Sequence, residues 1–195
     1  MKRKSKTNNS AYRIVLMQML LVFSIITVNA QDAKKENETK TKMEMFSSKT
    51  GVITKFTDFQ LPNLPALYTS VETRIRVLKS GNNNVYFYQI EKEGKYNSTT
   101  ASIEYSDLLE VIKALKTLKS EVDTDIQSNP DYLENKFITT DGFQIGYYVS
   151  KGKSTWYIRL EKYGSDNTLF FNSVAGIEQS LENAKTKIDE LKNNH

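Results

Sequence analysis

Few residues in this chain are equipped for chemistry. Its 195 residues hold one histidine, His195 at the C-terminal end, and no cysteine. Without an internal histidine or a thiol there is no Ser-His-Asp or Cys-His nucleophile, and no zinc site of the common Cys/His kind. The missing cysteine also excludes disulfides and a lipid-bearing N-terminal Cys. No glycine-rich phosphate loop and no dinucleotide fingerprint occurs in the sequence. Carboxylate chemistry remains, since a glycosidase needs only two Asp or Glu residues at a suitable separation. Glu104, Asp107 and Glu110 cluster where a helix is expected to begin. There their ordinary role is to complement the partial positive charge of the helix N-terminus. Nothing in the sequence singles out a catalytic pair among the other acids, so the reading is of a chain that is not an enzyme.

One segment approaches a metal motif. In DTDIQSNPDYLE, counted as an EF-hand loop, Asp123, Asp125, Asp131 and Glu134 fall at positions 1, 3, 9 and 12, where such loops place ligands for calcium. Ser128 stands where the turn needs glycine, and Pro130 where an apolar residue is usual. A weak calcium site and a plain acidic linker are both compatible with this pattern, and no other cofactor is implied.

Two groups of apolar residues are candidates for ligand or partner contact. The segment LPNLPALY carries Leu64, Leu67 and Tyr68 among prolines that forbid a central strand; it either folds under a sheet edge or presents an apolar loop. Tyr86, Tyr88 and Tyr157 lie in alternating segments whose neighbours Val85, Phe87, Trp156 and Ile158 point the opposite way, so rings stand on both faces of a sheet. Such rings serve either cross-strand packing or an aromatic recognition surface.

The elements that position these residues follow from periodicity. Val71, Thr73, Ile75 and Val77 alternate with Glu72, Arg74, Arg76 and Leu78, which predicts a strand with one face buried. Turn residues at 81–84 lead to a strand over 85–91, and Glu93-Gly94 to another over 99–105. From Ser106, a plausible N-cap, the period becomes helical, with Leu108, Leu109, Ile112, Leu115 and Leu118 on one face to about Val122. The order then recurs. A hairpin with an Asp141-Gly142 type I′ turn, strands over 155–162 and 168–171, and a helix carrying Val174, Ile177, Leu181, Ala184, Ile188 and Leu191 complete a second unit. YQIEKEG at 88–94 echoes IRLEKYG at 158–164. The expectation is therefore an α+β domain over residues 43–195: an antiparallel sheet of about eight strands built from two tandem β-meander-plus-helix units, about 43–123 and 135–193, with both helices packed on one sheet face.

Residues 1–30 read as a signal peptide, with a basic start, an apolar run from Ile14 to Val28 interrupted by Gln18, and small residues before a cleavage point after Ala30. A retained membrane anchor is the alternative, although the run is short for a span. The ending Asn29-Ala30-Gln31, with the Lys- and Asn-rich composition, resembles that of exported proteins of the Bacteroidota, a resemblance of signal peptides alone. Residues 31–42 are charged and nearly devoid of apolar side chains, as expected of a disordered leader.

The full chain carries 27 Lys and Arg against 23 Asp and Glu, a net +4. Five of the basic residues and no acid lie within residues 1–30, so the cleaved chain has 22 against 23, a net −1. That removes the case for nucleic acid as a partner. The sequence thus predicts an exported, periplasmic or secreted binding or protein-interaction module, with an unknown protein or small ligand as its partner. A carboxylate-dependent hydrolase or a structural envelope protein are the alternatives.

Overall fold

Alternation of apolar and polar residues sets eight strands, and a 3.6-residue period sets the two long helices, as the computed structural model shows. It describes residues 40–194 apart from Tyr96 and Ser165. Residues 1–30, expected to be a signal peptide, most of the expected leader and His195 lie outside the described residues. The elements are α1 (Lys42–Ser47), β1 (Thr54–Ala66), β2 (Thr69–Ser80), β3 (Asn83–Lys92), β4 (Thr99–Glu104), α2 (Tyr105–Gln127), β5 (Leu133–Ile138), β6 (Gln144–Ser150), β7 (Lys153–Arg159), β8 (Thr168–Phe171) and α3 (Ala175–Asn193). The fold is α+β with two tandem units: each is a four-stranded antiparallel meander, β1-β2-β3-β4 and β5-β6-β7-β8, followed by a helix. Among the described residues, no helix is long and apolar enough to cross a membrane.

The strands form two sheets rather than one of eight. They meet where the Leu67 N–H, just past β1, donates to the Phe170 carbonyl of β8 at 2.7 Å. The part of β1 nearest this junction contains Pro62 and Pro65 and a register shift between Leu61 and Leu64. Prolines have no N–H to offer, so the ladder cannot continue across the junction. The segment expected either to fold under a sheet edge or to present an apolar loop is the end of an edge strand that absorbs its prolines in a bulge and buries Leu64.

The inward faces of both sheets and the apolar faces of α2 and α3 share one core. Ile75, Tyr88, Ile90 and Ile103 from the first sheet join Ile145, Tyr147, Trp156 and Ile158 from the second. Leu108, Val111 and Leu115 of α2 and Ile177, Leu181 and Ile188 of α3 fill the space between. Each such side chain contributes about 1.5 to 3 kcal/mol when removed from water. The helix α2 touches β3 and β4 as well as β5, β6 and β7, whereas α3 packs on β1, β2 and α2. The last helix thus covers the sheet of the first unit.

Local differences from the expected elements have local causes. The first long helix starts two residues early because the Glu104 carboxylate accepts the Ser106 N–H at 3.0 Å, taking the capping role assigned to Ser106. The type I′ turn lies one hairpin later than expected. Lys151 and Gly152, between β6 and β7, both have positive φ (51° and 70°), whereas at Asp141-Gly142 only the glycine does, within a wider loop closed by Thr139 N–H to the Phe143 carbonyl. At the N-terminal side, Thr41 caps the short helix α1 through a reciprocal box with Glu44, so the end of the charged leader is helical cap rather than disordered chain.

Candidate functional site

Several expected site residues turn out to be interior. Leu64 is buried in the core, and Leu67 is half-buried at the junction of the sheets. Tyr86, Tyr88 and Tyr157 are also buried, so they form no exposed aromatic face. Tyr88 is on the inward side, where its hydroxyl lies 2.7 Å from Ser180 Oγ. Burial pushes that phenol up to about 12, against the smaller opposing effect of its hydrogen bonds.

The four carboxylates of the calcium-like segment do not gather. Asp123 and Asp125 belong to the last turns of α2, Asp131 to the linker and Glu134 to β5. Among the described residues there is no group of three or more acidic or histidine side chains placed to hold a metal. The carboxylates of Asp125 and Glu134 accept tyrosine hydroxyls instead. Tyr147 donates to Asp125 at 2.6 Å, and Tyr157 donates to Glu134. Burial first, and then the Asp125 carboxylate, push Tyr147 up to about 12. The same two causes, with Glu134 as the carboxylate, raise Tyr157, and the hydrogen bond from Tyr157 holds Glu134 below the usual carboxylate range. A helix continuing to Gln127 explains the difference: two of the loop's intended ligands are on helical backbone that cannot curl around an ion.

The acids near the start of α2 also have structural partners. Glu104 caps the helix, Asp107 accepts from Lys42 Nζ at 2.6 Å, and Glu110 is exposed beside Lys113.

Tyr68 alone among the expected contact residues stands in solvent. It is 97% exposed at the tip of the β1–β2 hairpin, where Leu67 and Tyr68 connect the paired Ala66 and Thr69. Its φ is +68°, a left-handed conformation that costs a non-glycine residue about 1 to 2 kcal/mol. Leu67 has no positive φ, so the turn has the pattern in which the second central position asks for Gly or Asn. The Leu67–Phe170 backbone bond sets this tip beside Phe170, which lies opposite Tyr157 on the outward face of the second sheet.

The helix α2 packs against the inward side of this sheet, and the rows of the outward face follow from the register. One row runs Lys136, Gly146, Tyr157 and Phe170, the next Ile138, Gln144, Arg159 and Thr168. A Cβ at Gly146 would lie 2.4 Å from the Asn135 carbonyl oxygen and 2.7 Å from Lys136 Cβ. The bare glycine leaves the path by which Tyr157 crosses β6 to reach Glu134 on β5. Around this anchor Ile138 and Phe170 are 49% and 41% exposed, and Tyr132, stacked on Tyr148 at 6.2 Å, is 63% exposed. Among the described residues Arg159 makes one weak hydrogen bond, Nε to Thr168 Oγ1 at 3.4 Å, and no close ion pair, although its charge acts at longer range on Glu134 and Tyr157. Opposite it, Gln144 is buried with its Oε1 unpartnered. The face therefore offers exposed apolar groups around a guanidinium with donors to spare.

Compared with known proteins, the chain matches no family model, no curated protein and no solved structure.

Proposed function

We propose that this chain is an exported, non-enzymatic interaction module whose contact surface is the outward face of β5–β8 together with the Tyr68 hairpin tip. The observation that carries the reading is Tyr68. A bulky ring is held in a conformation suited to glycine, and among the described residues no packing compensates for it. Strain of this kind, set on an exposed turn, fits a residue kept for what it touches outside the molecule. Phe170 and Ile138 extend the apolar surface, and Arg159 supplies a directional donor to a polar or anionic group of the partner.

The reading is tested by placing a photo-crosslinking phenylalanine analogue at Tyr68 in the full chain, in its own host, and comparing it with the analogue at Lys116 on the exposed side of α2. A dominant adduct specific to position 68, and lost in an Arg159→Ala background, supports the module. An adduct of twice the chain's mass would instead identify self-assembly, the structural role. Identical adduct patterns at positions 68 and 116 would overturn the reading.

A further inference from the structure

We propose that α1 is a detachable clasp, held by the single cation Lys42, that closes over the outward face of the first sheet and ties it to the β5–β6 turn. The helix has six residues, none of them buried. A helix so short has no stability of its own in water, so its order depends on what it is docked to. Its ties to the acids of the fold run through one residue. Lys42 Nζ donates to Asp107 at 2.6 Å and lies 3.9 Å from Glu104, and the Lys42 backbone N–H donates to Asp141 Oδ2 at 3.0 Å. Those acids belong to the first turn of α2, the end of β4 and the β5–β6 loop, so one lysine joins elements from both units. Glu44 adds a fourth carboxylate on α1 itself, and its side chain is turned back to Thr41.

The clasp covers something. Gln89, buried on the outward side of β3, donates to Met43 Sδ at 3.5 Å and to Ser102 Oγ at 2.8 Å. Beside it on the same face Phe87 is fully buried yet stands outside the main core, as does Leu78 opposite Val85 on β2. Among the described residues α1 is the element placed over this side of β3 and β4. Release of α1 therefore uncovers Gln89 on the outward side of β3 while leaving the inward core intact, and Gly51 (φ +77°) in the exposed link to β1 provides a point of rotation. This inference is independent of the contact surface on the second sheet.

Methionine-methyl NMR of the full chain tests it. Met43, half-buried against Gln89, and Met45, 53% exposed, sit in the same helix and report docked and free environments. In Lys42→Ala the Met43 resonance is expected to move onto the position of Met45, while the indole signal of Trp156 in the core stays unchanged. Near 1 M NaCl, where the Debye length is about 3 Å, the wild-type Met43 signal should shift the same way. Reversing the pair, Lys42→Asp with Asp107→Lys, should restore it. A Met43 signal that ignores both Lys42→Ala and salt overturns the clasp, and so does a Lys42→Ala variant in which the Trp156 signal moves together with that of Met43.

Discussion

The hydroxyl of Tyr88, in the middle of the first sheet, lies 2.7 Å from Ser180 Oγ in the last helix, 92 residues away, and both residues are buried. The bond holds α3 to the sheet of the other unit. Tyr88→Phe leaves the Ser180 hydroxyl without its partner and should cost about 1 kcal/mol. Adding Ser180→Ala removes the stranded group, so the double variant should be less destabilised than the sum of the singles. Urea unfolding of the four proteins measures the coupling, and strict additivity would show that the two hydroxyls do not act together.

Tyr68→Gly relieves the left-handed strain at the hairpin tip. Set against the extra freedom glycine gives the unfolded chain, the gain should be up to about 1 kcal/mol, a rise in melting temperature of roughly 2 to 4 °C for a chain of this size. The same variant should lose the partner. A melting temperature that falls would mean that the ring packs where the structure shows it bare.

Acid should weaken the fold through particular carboxylates. Arg76 donates to both oxygens of Asp58 at 2.7 Å and, chiefly through that hydrogen bonding, holds its carboxyl below the usual 3.8. Lys185 and Tyr105 do the same for Asp189, and Tyr157 for Glu134. A folded pKa below the unfolded one means stability that is fully present above the unfolded value and lost as pH falls through the folded one. These groups predict a flat profile near neutrality and a decline below about pH 4. Asp141 has the opposite sign. Burial raises its carboxyl above 3.8, so its favourable term is present in acid and lost as pH rises. Asp141→Asn, which retains an oxygen for the Lys42 N–H, should therefore stabilise the protein at pH 7 and lose that advantage in acid, as denaturation midpoints at pH 7 and pH 3 would show.

Periodicity made the two long helices and most strands legible, because Leu108 and Leu115, or Ile177 and Ile188, can fall on one face only in a helix. It could not say which sheet each helix covers, since that depends on contacts between distant segments. The same ambiguity governs the tyrosines. Alternation placed Tyr88 opposite Phe87 and Tyr157 opposite Trp156 and so put rings on both faces, but Tyr88 is enclosed by α3, and Tyr157 lies down over Gly146 rather than standing out. Tyr68 was legible from the prolines before it, which bar a central strand. Phe170, Ile138 and Arg159 were missed because they gain meaning only from register: Ile138 and Arg159 are 21 residues apart, Arg159 and Phe170 are 11 apart, and strand pairing alone brings them to one face. The helix α1 was hidden for another reason, since a single capped turn has no period to detect.

The packing of α3 on β1 and β2 has a consequence for any protease that meets this chain. The linker at residues 128–132 is exposed along most of its length, with Asn129 at a positive φ, and is the natural place for a nick. A cut there would sever the backbone without freeing either half. The C-terminal piece would remain clamped to the N-terminal one by its own helix, and the two fragments would travel together until a denaturant parted them. Neither fragment, made alone, would have a partner for the apolar face it was left with.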